Sequence, residues 1–243
     1  MIALSVNNLR AGYDPDLAIV KGVSFDVNKG EALCILGPNG AGKSTLIKAM
    51  AGLVPSFGGT VRLGPRDVTG LTPHLLVRSG LGFVPQTDNI FTRLTIRENL
   101  QIASQLVARS ERQRRIDAML AMFPDLGERP GELAGALSGG QRQMLAAARA
   151  LLTEPDVLIL DEPSAGLSPK LVGQVFDTLR RISEAGVTLV LVEQNVRAAL
   201  ALTPRALVLV DGHLAHDGPS NALHDGALLG ELFLGRRGAE QPA

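Results

Sequence analysis

The sequence predicts an α/β fold with a mainly parallel sheet as its core, an antiparallel β part near the N-terminus and an inserted helical subdomain. Three observations carry this prediction. Short, nearly continuous apolar runs recur along the chain, as suits strands covered on both faces. They are Ala32-Leu33-Cys34-Ile35-Leu36, Val157-Leu158-Ile159-Leu160, Val187-Thr188-Leu189-Val190-Leu191-Val192 and Ala206-Leu207-Val208-Leu209-Val210. A helical pattern from Leu171 to Ala185 separates the second run from the third. Between Leu94 and Thr153 the strand signals lapse, and helix-forming Ala, Leu, Gln, Glu and Arg dominate.

The elements follow in order. Val23, Phe25 and Val27 alternate with Ser24, Asp26 and Asn28, which predicts a sheet with one wet face. Lys29-Gly30 then turns the chain into the first buried run. A helix is expected from Lys43 to Leu53, closed by Gly52 and Pro55. The α/β core is drawn over residues 1–87 and 155–243, and the helical insertion over 88–154. The most charged stretch of the insertion, Arg109-Ser110-Glu111-Arg112-Gln113-Arg114-Arg115, is diluted by Glu111 and Asp117 and reads as a solvated helix face. The tail from Gly235 to Ala243 reads as disordered, with Arg236-Arg237 as a solvated end.

The chain has 243 residues, 45% hydrophobic and 20% charged, enough for one large domain with an inserted piece. Its formal net charge is zero, so it lacks the electrostatic push toward nucleic acid that a basic protein has, and no nucleic-acid partner is expected. The lone Cys34 cannot form an intramolecular disulfide, which suits a reducing cytosol, and its apolar neighbours predict a buried thiol. Met1 to Leu9 has no basic head and long apolar stretch of a signal peptide. No apolar run approaches the roughly 18 residues needed to span a bilayer. The expectation is a soluble protein whose link to a membrane, if it has one, runs through a partner.

Three segments carry chemistry. Gly37-Pro38-Asn39-Gly40-Ala41-Gly42-Lys43-Ser44-Thr45 fits the P-loop pattern G-x-x-x-x-G-K-[ST] at every fixed position. Backbone N–H groups at a helix N-terminus suit a triphosphate, and Gly37, Gly40 and Gly42 let the backbone wrap closely. Lys43 would reach the β- and γ-phosphates, and the Ser44 hydroxyl would ligate Mg²⁺. At Leu158-Ile159-Leu160-Asp161-Glu162 an apolar strand ends in two carboxylates, at the strand end where open α/β sheets bind ligands. Asp161 suits Mg²⁺, and Glu162 could polarise an attacking water as general base, although the pair alone could be an acidic turn before Pro163. Ser138-Gly139-Gly140-Gln141 opens a strongly helical stretch and, read alone, is an ordinary helix N-cap.

With these segments together, the chain resembles the ATP-binding subunits of ABC transporters from Leu4 to about Gly235. The resemblance implies an ABC-type P-loop NTPase fold, with ATP and Mg²⁺ bound. It makes Gly37 to Thr45 the Walker A loop, Leu137 to Gln141 the signature and Leu158 to Glu162 the Walker B strand. The family's adenine-stacking aromatic falls on Tyr13, its Q-loop glutamine on Gln86 and its D-loop on Ser164-Ala165-Gly166-Leu167-Ser168. Gln86 would touch Mg²⁺ or the water at the junction with the insertion, whereas a Tyr like Tyr13 would elsewhere be a half-buried strand residue. Asn89-Ile90-Phe91-Thr92-Arg93-Leu94 reads equally as a groove for a partner's helix and as core packing.

One position departs from the family. Gln194 stands where a histidine usually contacts the γ-phosphate, and a neutral amide can donate a hydrogen bond there but cannot become cationic. Val192-Glu193-Gln194-Asn195, Met144-Leu145 and Phe233-Leu234-Gly235 are similar to one ATPase of the branched-chain amino acid importers. The resemblance implies integral-membrane permease subunits, a second ATPase subunit (a different one, as is usual in that subfamily, or another copy of this chain) forming an ATP-sandwich dimer, and indirectly a solute-binding protein. It also implies a location at the cytoplasmic face of the inner membrane. Urea- or amide-type importers use close relatives, and non-transport ABC ATPases and non-hydrolysing nucleotide sensors are further readings.

Overall fold

The computed structural model describes residues 1–87, 89–224 and 226–233. The chain opens with strands β1 (Ile2–Ala11), β2 (Val20–Asn28) and β3 (Ala32–Leu36), then helix α1 (Lys43–Met50). Strands β4 (Ser56–Leu63) and β5 (Arg66–Asp67), helix α2 (Pro73–Arg78) and strand β6 (Leu81–Val84) follow. Next come α3 (Ile96–Ala103), α4 (Arg112–Met122), the single turn α5 (Pro124–Gly127) and α6 (Gly139–Leu151). The remainder alternates β7 (Val157–Asp161), α7 (Pro169–Glu184), β8 (Thr188–Val192) and α8 (Val196–Leu202), then β9 (Arg205–Val210), β10 (His213–Pro219) and α9 (Ala227–Phe233).

The strands form two sheets. One is antiparallel, in the order β2-β1-β4-β5. The other runs β10-β9-β3-β8-β7-β6 and is parallel except for β10 at its edge. Successive strand residues point to opposite faces, so each buried run feeds two cores. Leu33, Ile35, Val157, Ile159, Val190 and Val192 pack with β1, β2 and the α1 residues Leu46, Ile47 and Met50. Their neighbours Cys34, Leu36, Leu158, Leu160, Leu189 and Leu191 pack under α6, α7 and α8. The expected mainly parallel core and antiparallel N-terminal part are both present. Val20, Val23, Phe25 and Val27 are buried along β2 while Ser24, Asp26 and Asn28 are exposed, as their alternation predicted.

Helices α3 to α6 share the second core: Ile96, Leu100, Ile116, Met119, Phe123 and Leu145 lie in one cluster with the sheet residues. A capping box starts α3, with the Thr95 hydroxyl accepting from the Glu98 amide and the Glu98 carboxylate accepting from the Thr95 amide. The charged stretch is not wholly solvated. Arg115 turns inward to the Leu152 carbonyl at 3.1 Å and pairs with Glu154, and Arg112 donates to the Val107 carbonyl. Helix α1 stops three residues short of Leu53, because Gly52 takes φ +70° and turns the chain. The Leu234-Gly235 part of the C-terminal motif and the tail with Arg236-Arg237 lie outside the described residues. Among the described residues no helix is long and apolar enough to cross a membrane.

Cys34 is fully buried on β3, and burial pushes its thiol up to about 11. The native protein at pH 8 is therefore expected to leave this single thiol unreacted with a thiol-disulfide reagent, and to react fully only when denatured. A colorimetric thiol count before and after adding guanidinium checks this.

Candidate functional site

Four neighbouring parallel strands deliver the site. In the order β3, β8, β7, β6, their carboxyl ends run into the Gly37–Thr45 loop, Glu193-Gln194, Asp161-Glu162 and Pro85-Gln86. Adjacent strands stand about 4.8 Å apart, so side chains leaving these ends reach one another although they are distant in sequence.

The first loop wraps tightly into α1. Gly42 is the helix N-cap at φ +95°, and a Cβ on it would press within 3.2 Å of the Ile19 side chain. Gly37 has no room for one either, since a Cβ there would lie 2.2 Å from the Leu209 carbonyl oxygen. Lys43 is 5% exposed, and its ammonium donates to the Gly37 and Pro38 carbonyls at 2.9 and 3.0 Å. Burial lowers its pKa, against the opposing pull of the Glu162 and Asp161 charges. A cation held only by neutral carbonyls is ready for an anion, to which its hydrogen bonds are stronger. Ile19, Asn39 to Thr45 and Glu162 line a cavity of about 370 Å³ over this loop.

The two carboxylates at the end of β7 have different surroundings. Asp161 Oδ1 accepts from the Ser44 hydroxyl at 3.2 Å, joining two hard oxygen donors beside the loop. Burial pushes its carboxyl up, while the Ser44 hydrogen bond and the Lys48 charge pull it down. Glu162 sits at φ +47°, a left-handed conformation costing a non-glycine residue about 1–2 kcal/mol. Its amide still donates to the Val192 carbonyl at 2.9 Å, so β8 holds the residue in this geometry. The Glu162 Oε2 accepts from Gln86 Nε2 at 2.9 Å and from Gln194 Nε2 at 2.8 Å. The neighbouring strands thus supply one amide each to the same carboxylate oxygen.

The other candidates lie apart. Tyr13 is 65% exposed in the loop between β1 and β2, not half-buried in a strand. Ser138 caps α6 in a capping box, accepting from the Gln141 amide while Gln141 Oε1 accepts from the Ser138 amide. Gly139 and Gly140 lie under Leu167 and Leu171, with only 2.7 Å from a Cβ on Gly139 to Leu167 Cδ2. None of Tyr13, Ser138, Gly139, Gly140 and Gln141 lines the cavity over the Gly37–Thr45 loop. A separate groove of about 440 Å³ runs along Phe83, Ile90, Phe91, Ile102, Leu106 and Arg149. Phe91 is 46% exposed there, so core packing does not account for it. The Arg149 guanidinium of α6 covers its ring at 4.7 Å.

Sequence reasoning gave no role to two buried residues. Asn99 is fully buried, takes the Phe91 amide on its side-chain oxygen and donates to the Phe91 and Thr95 carbonyls. Glu193 is 2% exposed and accepts four hydrogen bonds, two from Ser164 and two from the amides of Gln194 and Asn195. The one local signal was a charged residue directly after a mostly apolar strand.

Comparison with known proteins gives consistent matches. The family model described as "ABC transporter" matches residues 20–165. The probable branched-chain amino acid transport ATP-binding protein LivF of Archaeoglobus fulgidus is 43% identical over 228 residues, covering 93% of this chain and 96% of LivF. The high-affinity branched-chain amino acid transport ATP-binding protein BraG of Pseudomonas aeruginosa is 38% identical over 213 residues, covering 88% and 91%. Among solved structures, the ADP conformation of MJ1267, an ATP-binding cassette of an ABC transporter, superposes with a TM-score of 0.85 at 26% identity. That match covers 97% of this chain and 99% of the cassette.

Lys43→Ala removes the cavity's buried cation, worth about 1.5–3 kcal/mol where it bonds an anion. Its affinity for a fluorescent ATP analogue is expected to fall by roughly ten- to hundredfold in titration. Circular dichroism should be unchanged.

Proposed function

Because the chain belongs to the ABC transporter family, as one of its ATP-binding subunits, we propose that it binds and hydrolyses ATP to energise an importer of branched-chain or related hydrophobic amino acids. The observation that carries the chemistry is the convergence of Gln86 and Gln194 on Glu162 at the edge of the P-loop cavity. Both amides engage Oε2, which leaves Oε1 as the proton acceptor for a water attacking the γ-phosphate in line. The loop amides from Gly37 to Thr45 and the Lys43 ammonium bind the phosphates and offset their charge. Tyr13, exposed in the loop between β1 and β2, would offer its ring to the adenine.

The Ser44 hydroxyl and Asp161 carboxylate form an oxygen donor pair that fits Mg²⁺, and with Gln86 they would hold it. Bound there, Mg²⁺ neutralises phosphate charge. Gln194 contributes a neutral hydrogen bond and no titratable charge, so this subunit's site is not equivalent to one carrying a histidine. Ser138, Gly139, Gly140 and Gln141 stand outside their own chain's P-loop cavity, which supports their closing over ATP held by a second ATPase subunit.

The amino-acid reading rests on the names of LivF and BraG and on the Val192–Asn195 motif. Solute contacts would belong to a permease and a solute-binding protein. The groove around Phe91, Ile102 and Leu106 suits a permease helix, with the subunit held peripherally at the cytoplasmic face of the membrane.

Glu162→Gln is expected to bind ATP normally, lose about 10²–10⁴-fold in turnover, and accumulate as an ATP-trapped dimer on size exclusion. Phosphate release at the wild-type rate would remove Glu162 from the general-base role. For the solute, the subunit is copurified with its membrane partners and reconstituted in liposomes. ATPase stimulation by binding protein loaded with leucine or valine, and not with urea, is the expected result. Stimulation by urea alone would assign the other importer class.

A further inference from the structure

Glu193 is buried without a cationic partner among the described residues, yet it directly follows β8, where four of the five residues are apolar. A carboxylate is tolerated in such a place only when its lone pairs are filled by donors. Here they are filled. Oε1 accepts from the Ser164 amide at 2.9 Å. Oε2 accepts from the Ser164 hydroxyl at 2.8 Å, the Gln194 amide at 3.1 Å and the Asn195 amide at 3.3 Å. The four donors come from two loops, one following β7 and one following β8.

These bonds close a ring. Ser164 lies two residues past Glu162, and the Gln194 side chain returns to Glu162 Oε2 at 2.8 Å. Ser164 is itself buried, whereas Gln194 is exposed, so burial does little to fix its side chain. The position of the Gln194 amide is therefore set by its backbone, and that backbone is tied to Glu193. Asn195 continues the chain into α8, where its side chain accepts from the Ala198 amide. On its other side, Ser164 opens the segment whose Leu167 covers Gly139 at the start of α6.

We propose that Glu193 is a positioning residue for ATP hydrolysis: its buried carboxylate locks the loop after β7 to the loop after β8 and so holds Gln194 against Glu162. The proposal rests on the ATPase reading above. Glu193 is not among the residues lining the P-loop cavity; it acts through Gln194 and the Glu162 carboxylate.

The test is a double-mutant cycle on the assembled transporter, with kcat, KM for ATP and melting temperature measured for each member. Glu193→Gln keeps the volume but turns an NH₂ group toward donors, so it cannot accept all four bonds. It is expected to lower kcat by about tenfold while KM for ATP stays within about twofold. Gln194→Ala is expected to lower kcat by a similar factor, and adding Glu193→Gln to it should cause no further loss. Ser164→Ala, which keeps the backbone donor, should give a smaller loss that likewise vanishes in the Gln194→Ala background, and it carries the test should Glu193→Gln fail to fold. Equal losses in both backgrounds, tracking a fall in melting temperature, would mean a purely structural role and overturn the proposal. So would wild-type kcat in Glu193→Gln or in Gln194→Ala. A wild-type assembly without ATPase activity would overturn the ATPase reading itself, and this inference with it.

Discussion

The site depends on the lateral pairing of β3, β8, β7 and β6. Parallel strands in register bring their carboxyl ends to one edge, so residues from 43 to 194 in the sequence meet within side-chain reach. Glu162 occupies the inner position of that row, with β8 on one side and β6 on the other. The Val192 carbonyl takes its amide and the flanking loops supply two glutamines. A shift of one residue in the β7–β8 pairing would turn Glu162 to the opposite face and leave both amides without their acceptor. The two apolar cores fix that register, because each strand residue is committed to one of them.

Charge in this region is managed by hydrogen bonds more than by ion pairs. Lys43, Asp161, Glu162 and Glu193 are all buried, yet the lysine rests on carbonyls and the three acids accept from hydroxyl, amide and backbone donors. Buried ions that neutralised one another would have to be separated before a phosphate could be bound. Neutral partners hold the same groups in place and leave their charge available.

Much of this was legible in the sequence. The four apolar runs became β3, β7, β8 and β9, because a strand buried on both faces needs uninterrupted Leu, Ile and Val. The Gly37–Thr45 loop was legible because its glycines serve local backbone geometry. What escaped was short or non-local. Strand β6 has four residues, one of them Gly82, and β4 carries Gly58-Gly59, so neither offers a periodic signal. β10 alternates polar residues with partial burial at a sheet edge. Glu193 could not be paired with Ser164, 29 residues away, until the adjacency of β7 and β8 was known.

Helix α6 has a different job at each end. At its start are Ser138 and the two glycines; ten residues later Arg149 lies over Phe91 in the groove and donates to the Asn89 carbonyl. At 1.5 Å per residue that is a stiff rod of about 15 Å. A helix seated in the groove would push on one end of this rod, and the other end would swing against whatever faces Gly139 and Gly140. In the two-subunit arrangement proposed above, the lever's load would be its neighbour's nucleotide. Each protomer would sense the membrane for the other, and a lone protomer would move the rod without consequence.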